Sequence, residues 1–323
     1  MTEPVAEVVT DDEDINTEEE DSDGSEVVDG VIADFVERCK GGGPPEVSTG
    51  LKALDHAIIG LRPKKVMIIA ARPGMGKTAL AAGIRRAVID QDLVVLDFNL
   101  EMGKEEVAER EVAFQAKVNL RKVMAAKGLS DDEVARVVGT EGFLKKGMWW
   151  VYDTCFAIDD IIRKCRAAKR RAKKEGKKIG LIVIDYLQLM GDVGNEGRQQ
   201  SVSACSRAVK LLSKEMDCAV IALSQLNRNC EYRDDKRPLM ADLRESGSIE
   251  QDADIILFLY RPVVYNPTEP TDGAELIIRK NRAGPLGTVL ARFNARTVHF
   301  DDVPPPVSKD APGYDSLPVR VVQ

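Results

Sequence analysis

One stretch of the sequence combines an apolar run, a small loop and a Gly-Lys-Thr triplet, and these residue types suit phosphate binding. Residues 66–70 have the composition of a buried strand, and helical periodicity begins at Thr78. Backbone N–H groups can approach phosphate oxygens at the start of a helix where the loop residues are permissive, as Gly74 and Gly76 are. We therefore predict a nucleotide-binding loop whose members are Ala71, Arg72, Pro73, Gly74, Met75, Gly76, Lys77 and Thr78.

Three side chains would act on the phosphates of ATP and on its Mg²⁺ ion. Lys77 would reach the β- and γ-phosphates as a point charge, and the Thr78 hydroxyl would bind Mg²⁺. Asp185 ends the apolar run IGLIVID, the Walker B arrangement of a carboxylate that orients the same ion. Ala71 replaces the usual first glycine of the loop, which costs little unless φ is positive there. The alternative is an ordinary strand, turn and helix with a surface lysine, and the flanking elements favour the phosphate loop.

Two further polar residues follow apolar runs, and ligands of open α/β sheets gather at the carboxyl ends of strands. Glu101 follows LVVLDF after two residues and could activate the attacking water as a general base. Gln225 ends AVIALSQ and could sense the γ-phosphate through its amide. Each has a structural alternative: Asp185 as a helix cap, Glu101 as a surface acid, and Gln225 as a polar group at a strand end. Three such residues after three strands make coincidence an unattractive explanation.

The elements that must position these residues alternate between strand and helix patterns from Val47 to Phe300. This alternation predicts an α/β fold with a mainly parallel central sheet. Residues 274–279 and 288–293 flank the turn RKNRAGPLG and predict a β-hairpin that closes the sheet. We expect a disordered acidic tail over residues 1–24, a helix with a Gly/Pro hinge over 25–43, the main domain over 44–302 and a mobile Pro-rich tail over 303–323.

Charge is unevenly distributed along the 323 residues. The net charge is −7, but residues 1–37 contain 15 Asp or Glu and no Lys or Arg, so the remainder has 46 basic and 38 acidic residues. A body of net charge +8 suits a nucleic-acid binder better than the total charge suggests. The basic run over residues 163–178 is most simply a solvated helix face, and nucleic-acid contact is its alternative.

Composition also excludes several classes of protein. The six cysteines form no CxxC pair, which predicts reduced thiols and no cysteine metal site. No apolar run approaches the 18 residues of a membrane span, so no membrane partner is expected.

Apolar residues of the early helix recur at helical spacing: Val28, Val31, Ile32, Phe35 and Val36. This stripe could pack within its own domain or on something beyond its neighbours.

Taken together, these motifs resemble hexameric replicative DNA helicases of the DnaB type, which have a RecA-like ATPase core. The matching stretches are VSTGLKALD, AARPGMGKT, NLEM, LIVIDYLQLM, ALSQLNR, DKRPLMADLRESGSIEQDADIILFLYR and KNRAGPLGTV. They cover about residues 26–302, and LRESGSIEQDAD and IDYLQLM are more specific than the phosphate loop. The resemblance implies an ATP-dependent helicase that moves along single-stranded DNA as a homo-hexameric ring. Alanine at position 71 is usual in this family.

The resemblance also implies roles that spacing does not show. Arg244, Glu245 and Gly247 would lie on a channel loop that holds the phosphates of single-stranded DNA. Residues 191–200, with Arg198, would form a second channel loop. Two hairpin residues, Lys280 and Arg282, would reach the γ-phosphate of the neighbouring subunit, with Arg282 as the arginine finger. From the sequence alone, RKNR is most simply a solvated basic turn.

The early helix matches the linker helix of the family, which docks on the adjacent subunit. Family members usually carry a helical N-terminal domain that contacts primase, and an acidic segment stands in its place here. The expectation is a phage-like helicase in the cytoplasm of a bacterial cell, with a helicase loader or primase as candidate partners.

Three other functions are alternatives to a helicase. A RecA-like recombinase or a clock-type ATPase would share the core, but a recombinase needs filament-forming and DNA-pairing segments, for which the sequence offers no candidate. A catalytically silent, ATP-binding helicase regulator should have lost one of the key residues. All of them are present: Lys77, Glu101, Gln225 and Arg282.

Overall fold

The computed structural model describes residues 24–41, 47–144, 147–155, 157–185, 198–243, 247–304 and 319–321. The chain divides into two compact units, Met1–Pro45 and Glu46–Gln323. The predicted acidic tail, apart from Gly24, and the residues of the Gly/Pro hinge after Gly41 lie outside the described residues.

The first unit contains the predicted amphipathic helix, α1, which spans Gly24–Gly41. Its periodic apolar positions are solvent-exposed, with exposed fractions from 41% to 60%. The predicted helix is therefore confirmed, and its apolar stripe is exposed. The members of the exposed stripe are Val28, Val31, Ile32, Phe35 and Val36.

The second unit is built on one sheet. Its described strands are β1 (Val66–Ala71), β2 (Val94–Asn99), β3 (Trp149–Tyr152), β4 (Ile179–Asp185), β5 (Ala219–Gln225), β6 (Ile255–Tyr260), β7 (Gly273–Asn281), β8 (Gly287–Asn294), β9 (His299–Asp302) and β10 (Val319–Val321). The order is β10-β8-β7-β6-β1-β5-β4-β2-β3, and β9 pairs with β8. The block from β6 to β3 is parallel, whereas β7, β8, β9 and β10 are antiparallel.

Helices cover both faces of this sheet. They are α2 (Lys52–Ile58), α3 (Lys77–Asp90), α4 (Lys104–Gln115), α5 (Leu120–Ala125), α6 (Asp131–Gly139), α7 (Glu141–Leu144), α8 (Ile158–Lys174), α9 (Arg198–Met216) and α10 (Gly247–Asp252). Alternate residues of β1 enter opposite cores: Ile68 packs with residues of α8 and α9, and Ile69 packs with residues of α2 and α3. A strand buried on both faces reads as the continuous apolar run seen in the sequence.

The predicted α/β fold, with a mainly parallel sheet and a late β-hairpin, is confirmed. The mobile tail predicted over residues 303–323 stays a prediction, because the structure describes only residues 303–304 and 319–321 of it. Residues 301–302 complete β9, and Val319–Val321 forms β10, which pairs antiparallel with the start of β8. Three β-prone residues can add to an open sheet edge through backbone hydrogen bonds, which composition around them does not reveal.

Candidate active site

The phosphate loop connects β1 to α3 with the geometry that its glycines predict. Gly74 and Gly76 have φ values of 81° and 97°, where an L side chain would be strained. A Cβ at Gly76 would also lie 3.1 Å from the Phe300 ring, a close contact, so conformation and space both favour glycine there. Ala71 is the last residue of β1 and is absent from the positive-φ positions. The substitution at position 71 is therefore free of backbone strain.

The proposed phosphate and metal ligands contact one another at the start of α3. The Lys77 ammonium donates to Oδ1 of Asp185 at 2.7 Å, and the Thr78 hydroxyl donates to Oδ2 at 2.8 Å. Asp185 is only 2% exposed, so its charge is balanced by the lysine. The structure thus brings Asp185 to two adjacent residues that lie more than 100 positions before it in the sequence.

The oxygen ligands at the phosphate loop suit a Mg²⁺ ion that is bound together with a nucleotide. They do not suit a metal ion that is bound by protein side chains alone. In the described part of the chain, no group of three His, Cys, Asp or Glu side chains could hold a metal ion. Mg²⁺ is usually bound through one or two protein oxygens together with substrate phosphates and waters. The Thr78 hydroxyl and the Asp185 carboxylate could supply those protein oxygens.

An open cleft of about 330 Å³ lies over the phosphate loop. Glu101 is exposed at this cleft and has no hydrogen-bond or ion-pair partner among the described residues. Its segment is fixed beside Asp185, because the Leu100 amide donates to the Asp185 carbonyl at 2.7 Å. Gln225 pairs in register with Ala71. The lining residues are Ala71, Arg72, Pro73, Gly74, Gly76, Lys77, Thr78, Ala79, Glu101, Arg110, Gln225, Phe293 and Val298.

Arg72 belongs to the loop, but its guanidinium is held by the chain that follows β5. Nε donates to Glu231 at 2.8 Å, and Nη1 donates to the Leu226 carbonyl at the same distance. This arrangement fixes the loop against the end of β5.

Sequence reasoning missed two arginines at the cleft. Arg110 lines the cleft from α4 and donates to Glu106 at 2.8 Å, an i,i+4 pair that resembles an ordinary surface pair in the sequence. Arg261 directly follows β6, stacks 3.9 Å over the cleft residue Phe293 and lies 3.5 Å from the Gly74 carbonyl. Burial lowers the pKa of Arg261. The strand-end rule that found Glu101 would also have found Arg261.

The structure does not bring the hairpin cations to this cleft. Asn281, between them, pairs with Ile255 in β6, and Ile255 pairs with Met67 near the beginning of β1. The phosphate loop starts at the other end of β1, about 13 Å further along four strand residues. Lys280 and Arg282 therefore lie at the amino ends of the parallel strands.

Both hairpin cations are bound to the carboxyl end of α10. Lys280 donates to the carbonyls of Glu250 and Gln251, and Arg282 donates to the Gln251 carbonyl. Arg282 also lies 3.6 Å from the Asp254 carboxylate. Burial and the neighbouring Arg282 lower the pKa of Lys280.

The structure describes only some of the residues predicted to contact DNA. Arg244 and Glu245, and residues 191–197 of the second predicted loop, lie outside the described residues. Gly247 is the first residue of α10, and Arg198 is the first residue of α9. The DNA-binding roles remain predictions.

Comparison with known proteins gives one consistent result. Residues 46–302 match the family model for the DnaB-like helicase C-terminal domain. The replicative DNA helicase DnaB of Pasteurella multocida is 42% identical over 80% of this chain and 55% of the relative. This chain thus spans about half the length of such curated relatives.

Solved structures agree with the sequence comparison. An ATPase domain with 37% identity superposes with a TM-score of 0.80, covering 87% of this chain and 100% of the other. A structure of a DnaB-like replicative helicase and its interactions with primase has 36% identity and a TM-score of 0.79, covering 88% of this chain and 67% of the other.

No helix in the described segments is long and apolar enough to cross a membrane. The strand order, the phosphate loop and both comparisons agree on the ancestry of residues 46–302, including the RecA-like fold expected from the motifs. This chain belongs to the family of DnaB-like helicase C-terminal domains.

Proposed function

We propose that this protein hydrolyses ATP to move along single-stranded DNA as a homo-hexameric ring, and that it unwinds duplex DNA during replication. One observation carries the proposal. The cleft lined by Lys77, Thr78 and Glu101 lies at the carboxyl ends of the parallel strands, whereas the proposed finger residues Lys280 and Arg282 lie at their amino ends. Such a chain has both halves of an active site but cannot join them alone. Family membership supports the same activity.

In this proposal Lys77, Thr78 and Asp185 bind the nucleotide. Lys77 would exchange its contact with Asp185 for phosphate oxygens, and the Thr78 hydroxyl and Asp185 would hold Mg²⁺, which would supply positive charge beside the phosphates. Phe293 offers an apolar ring in the same cleft for the nucleotide base, with Arg261 behind it.

Glu101 accepts a proton from the attacking water. Its carboxylate is exposed to the cleft and has no partner among the described residues, so it is available as an acceptor. Gln225 and Arg110 line the same cleft, and both have donors that could contact the γ-phosphate.

The neighbouring subunit supplies the remaining charge. A guanidinium has a fixed fork of donors that suits the oxygens of a transferring phosphoryl group. Arg282 is about half exposed at the hairpin turn, and Lys280 lies two residues before it. We assign Arg282 as the finger and Lys280 as its companion, each acting on the next subunit.

DNA binding is assigned to the loop with Arg244, Glu245 and Gly247 and to the segment that contains Arg198. These segments contain no aromatic residue, so contact should be to the phosphate backbone with weak sequence preference. α10 begins at Gly247, and its other end receives Lys280 and Arg282. One short helix therefore connects the proposed DNA contact with the proposed finger.

Partners and location follow from this role. A primase or a helicase loader is a candidate partner, and one structural relative was solved as a DnaB-like replicative helicase with its interactions with primase. The proposed location is the cytoplasm of a bacterial cell, with a phage gene as a candidate source.

The proposal is tested on a forked DNA substrate with one labelled strand. The protein should release the labelled strand with ATP and Mg²⁺, and should fail with a non-hydrolysable analogue or as Lys77→Ala. Light scattering with ATP and single-stranded DNA should give the mass of a hexamer. Hydrolysis without strand release would contradict the helicase assignment, and pairing of a single strand with a homologous duplex would support the recombinase alternative.

A further inference from the structure

A buried arginine on the phosphate-loop helix binds two carboxylates from different elements. Arg85 lies on α3, two turns after Lys77, and is 5% exposed. Its Nη1 is 2.5 Å from Oδ2 of Asp97 on β2, and its Nη2 is 2.6 Å from Oε2 of Glu111 on α4. Asp97 and Glu111 are 1% and 2% exposed, so water screens these contacts very little.

Aromatic rings and a second arginine complete this group. Trp149 donates its indole N–H to the same Asp97 oxygen at 3.0 Å, and its ring lies 4.3 Å from the Arg85 guanidinium. Arg86 forms an ion pair with Glu111. We call Arg85, Arg86, Asp97 and Glu111 the Arg85 cluster. Its two positive and two negative charges balance, as burial requires.

The two carboxylates of the cluster bracket the proposed general base. Asp97 precedes Glu101 by four residues, and Glu111 follows it by ten. The connection that carries Glu101 leaves β2 after Asn99 and enters α4 at Lys104. The two elements that flank this connection are thus bound to one guanidinium, which belongs to the helix that starts at the phosphate loop.

We infer that Arg85 is a positioning residue that sets the distance between Glu101 and the phosphate loop. Phosphoryl transfer needs the water activated by Glu101 to lie in line with the bond that breaks. Misplacement by about 1 Å can reduce a rate about 10²-fold. The forked guanidinium bonds to β2 and α4 simultaneously, so it resists rotation or sliding of either element relative to α3.

If Arg85 had only a structural role, its loss would lower stability without a specific effect on hydrolysis. Removing a buried partner leaves an uncompensated charge and destabilises any fold. Glu133 offers a matched control, because it is 6% exposed, binds Lys122 at 2.7 Å and lies on α6, outside the residues that line the cleft. Loss of Glu133 should lower stability without moving Glu101.

The experiment compares Glu111→Gln with Glu133→Gln in the full chain, by thermal unfolding, affinity for a non-hydrolysable ATP analogue, and steady-state ATP hydrolysis. We expect Glu111→Gln to lower kcat about 10- to 100-fold with analogue affinity within about twofold of the parent. Glu133→Gln should keep kcat near the parental value even with a similar loss of Tm. Arg85→Lys, which keeps the charge but loses the fork, should fall between Glu111→Gln and the parent.

Equal kcat losses in Glu111→Gln and Glu133→Gln at matched loss of Tm would overturn the positioning role. A loss of analogue affinity with unchanged kcat would also overturn it. Should Glu111→Gln not fold, Asp97→Asn is judged by the same criterion. The inference depends on the proposed ATP hydrolysis, and a parent that binds ATP without hydrolysing it would overturn that function instead.

Discussion

Charged groups lie at both ends of the parallel strands, and the two ends hold them differently. We call the side where the parallel strands end the carboxyl edge and the side where they begin the amino edge. At the carboxyl edge, Lys77 and Thr78 both bind Asp185, and Glu101 faces an open cleft. At the amino edge, Lys280 and Arg282 bind carbonyls of a short helix. The proposed nucleotide ligands thus lie at the first edge, and the proposed finger residues lie at the second.

This difference follows from topology. A parallel strand block places every βα connection at one edge, where ligands collect. An antiparallel hairpin added beside β6 must turn at the opposite edge, because β7 enters near the end of β6 and leaves near its start. One chain therefore cannot place Arg282 in its own cleft, and the proposed finger role of Arg282 requires a second copy of the chain.

The largest expected effect is at the amino edge. Arg282→Ala should lower kcat for ATP about 10³- to 10⁵-fold, the range for arginine fingers, with nucleotide affinity nearly unchanged. Arg292→Ala is the control, because Arg292 is an exposed hairpin residue that pairs only with Asp272 among the described residues. Steady-state hydrolysis and analogue binding measure both. A parental kcat in Arg282→Ala would remove the amino edge from the reaction.

The next effect is at the carboxyl edge. Glu101→Gln should lower kcat about 10²- to 10⁴-fold while ATP binds normally, because only the base used in the transition state is lost. Lys77→Ala should instead abolish binding. Glu105→Gln, a change at a nearby exposed acid, should behave like the parent. Binding and hydrolysis measured side by side would exclude Glu101 if the Gln variant turned over normally.

A smaller effect is expected at Asp254, which binds Lys210 and the Val66 amide at the amino ends of the parallel strands. Burial would raise the pKa of Asp254, but hydrogen bonds from Lys210 and the Val66 amide outweigh it and hold this pKa below its usual range. The ionised carboxylate thus stabilises the fold fully above the usual Asp pKa of about 3.9, and this contribution is lost as pH falls through the lowered folded-state pKa.

Asp254→Asn should therefore lower Tm most at about pH 6, by a few degrees, and the difference from the parent should shrink towards about pH 3. Thermal unfolding over this range measures the difference. A constant difference at every pH would show that the Asp254 charge does not contribute.

The smallest effect is expected for one DNA contact. Arg244→Ala should weaken single-strand binding similarly on poly-dT and mixed sequence, since it removes one phosphate contact. The slope of log affinity against log salt should become shallower by about 0.7. Fluorescence anisotropy at several salt concentrations measures this slope, and an unchanged slope would argue against this loop.

Sequence reasoning predicted which polar residues lie at or just after the ends of the parallel strands, and their roles stay predictions. Asp185, Glu101 and Gln225 each follow an apolar run, and the parallel sheet brings such positions together without further information. Arg261 obeys the same rule at the end of β6, and it was missed because a single arginine after a strand has a simple surface explanation.

Other features depend on pairings that no local pattern encodes. Arg85 stands next to Arg86 in a helix, and nothing near it in sequence predicts burial between Asp97 and Glu111. β10 depends on an open edge of β8. The linker role of α1 stays a prediction, as do the roles of Lys280 and Arg282 across an interface.

The claim that the two edges serve different active sites can be tested directly by mixing subunits. Arg282→Ala and Glu101→Gln proteins, each nearly inactive, are co-assembled, and subunit exchange is verified with a labelled partner. Some interfaces then join an intact Glu101 cleft to an intact Arg282, so ATP hydrolysis should rise well above the sum of the two separate proteins. A mixture that never exceeds that sum would contradict catalysis across the interface.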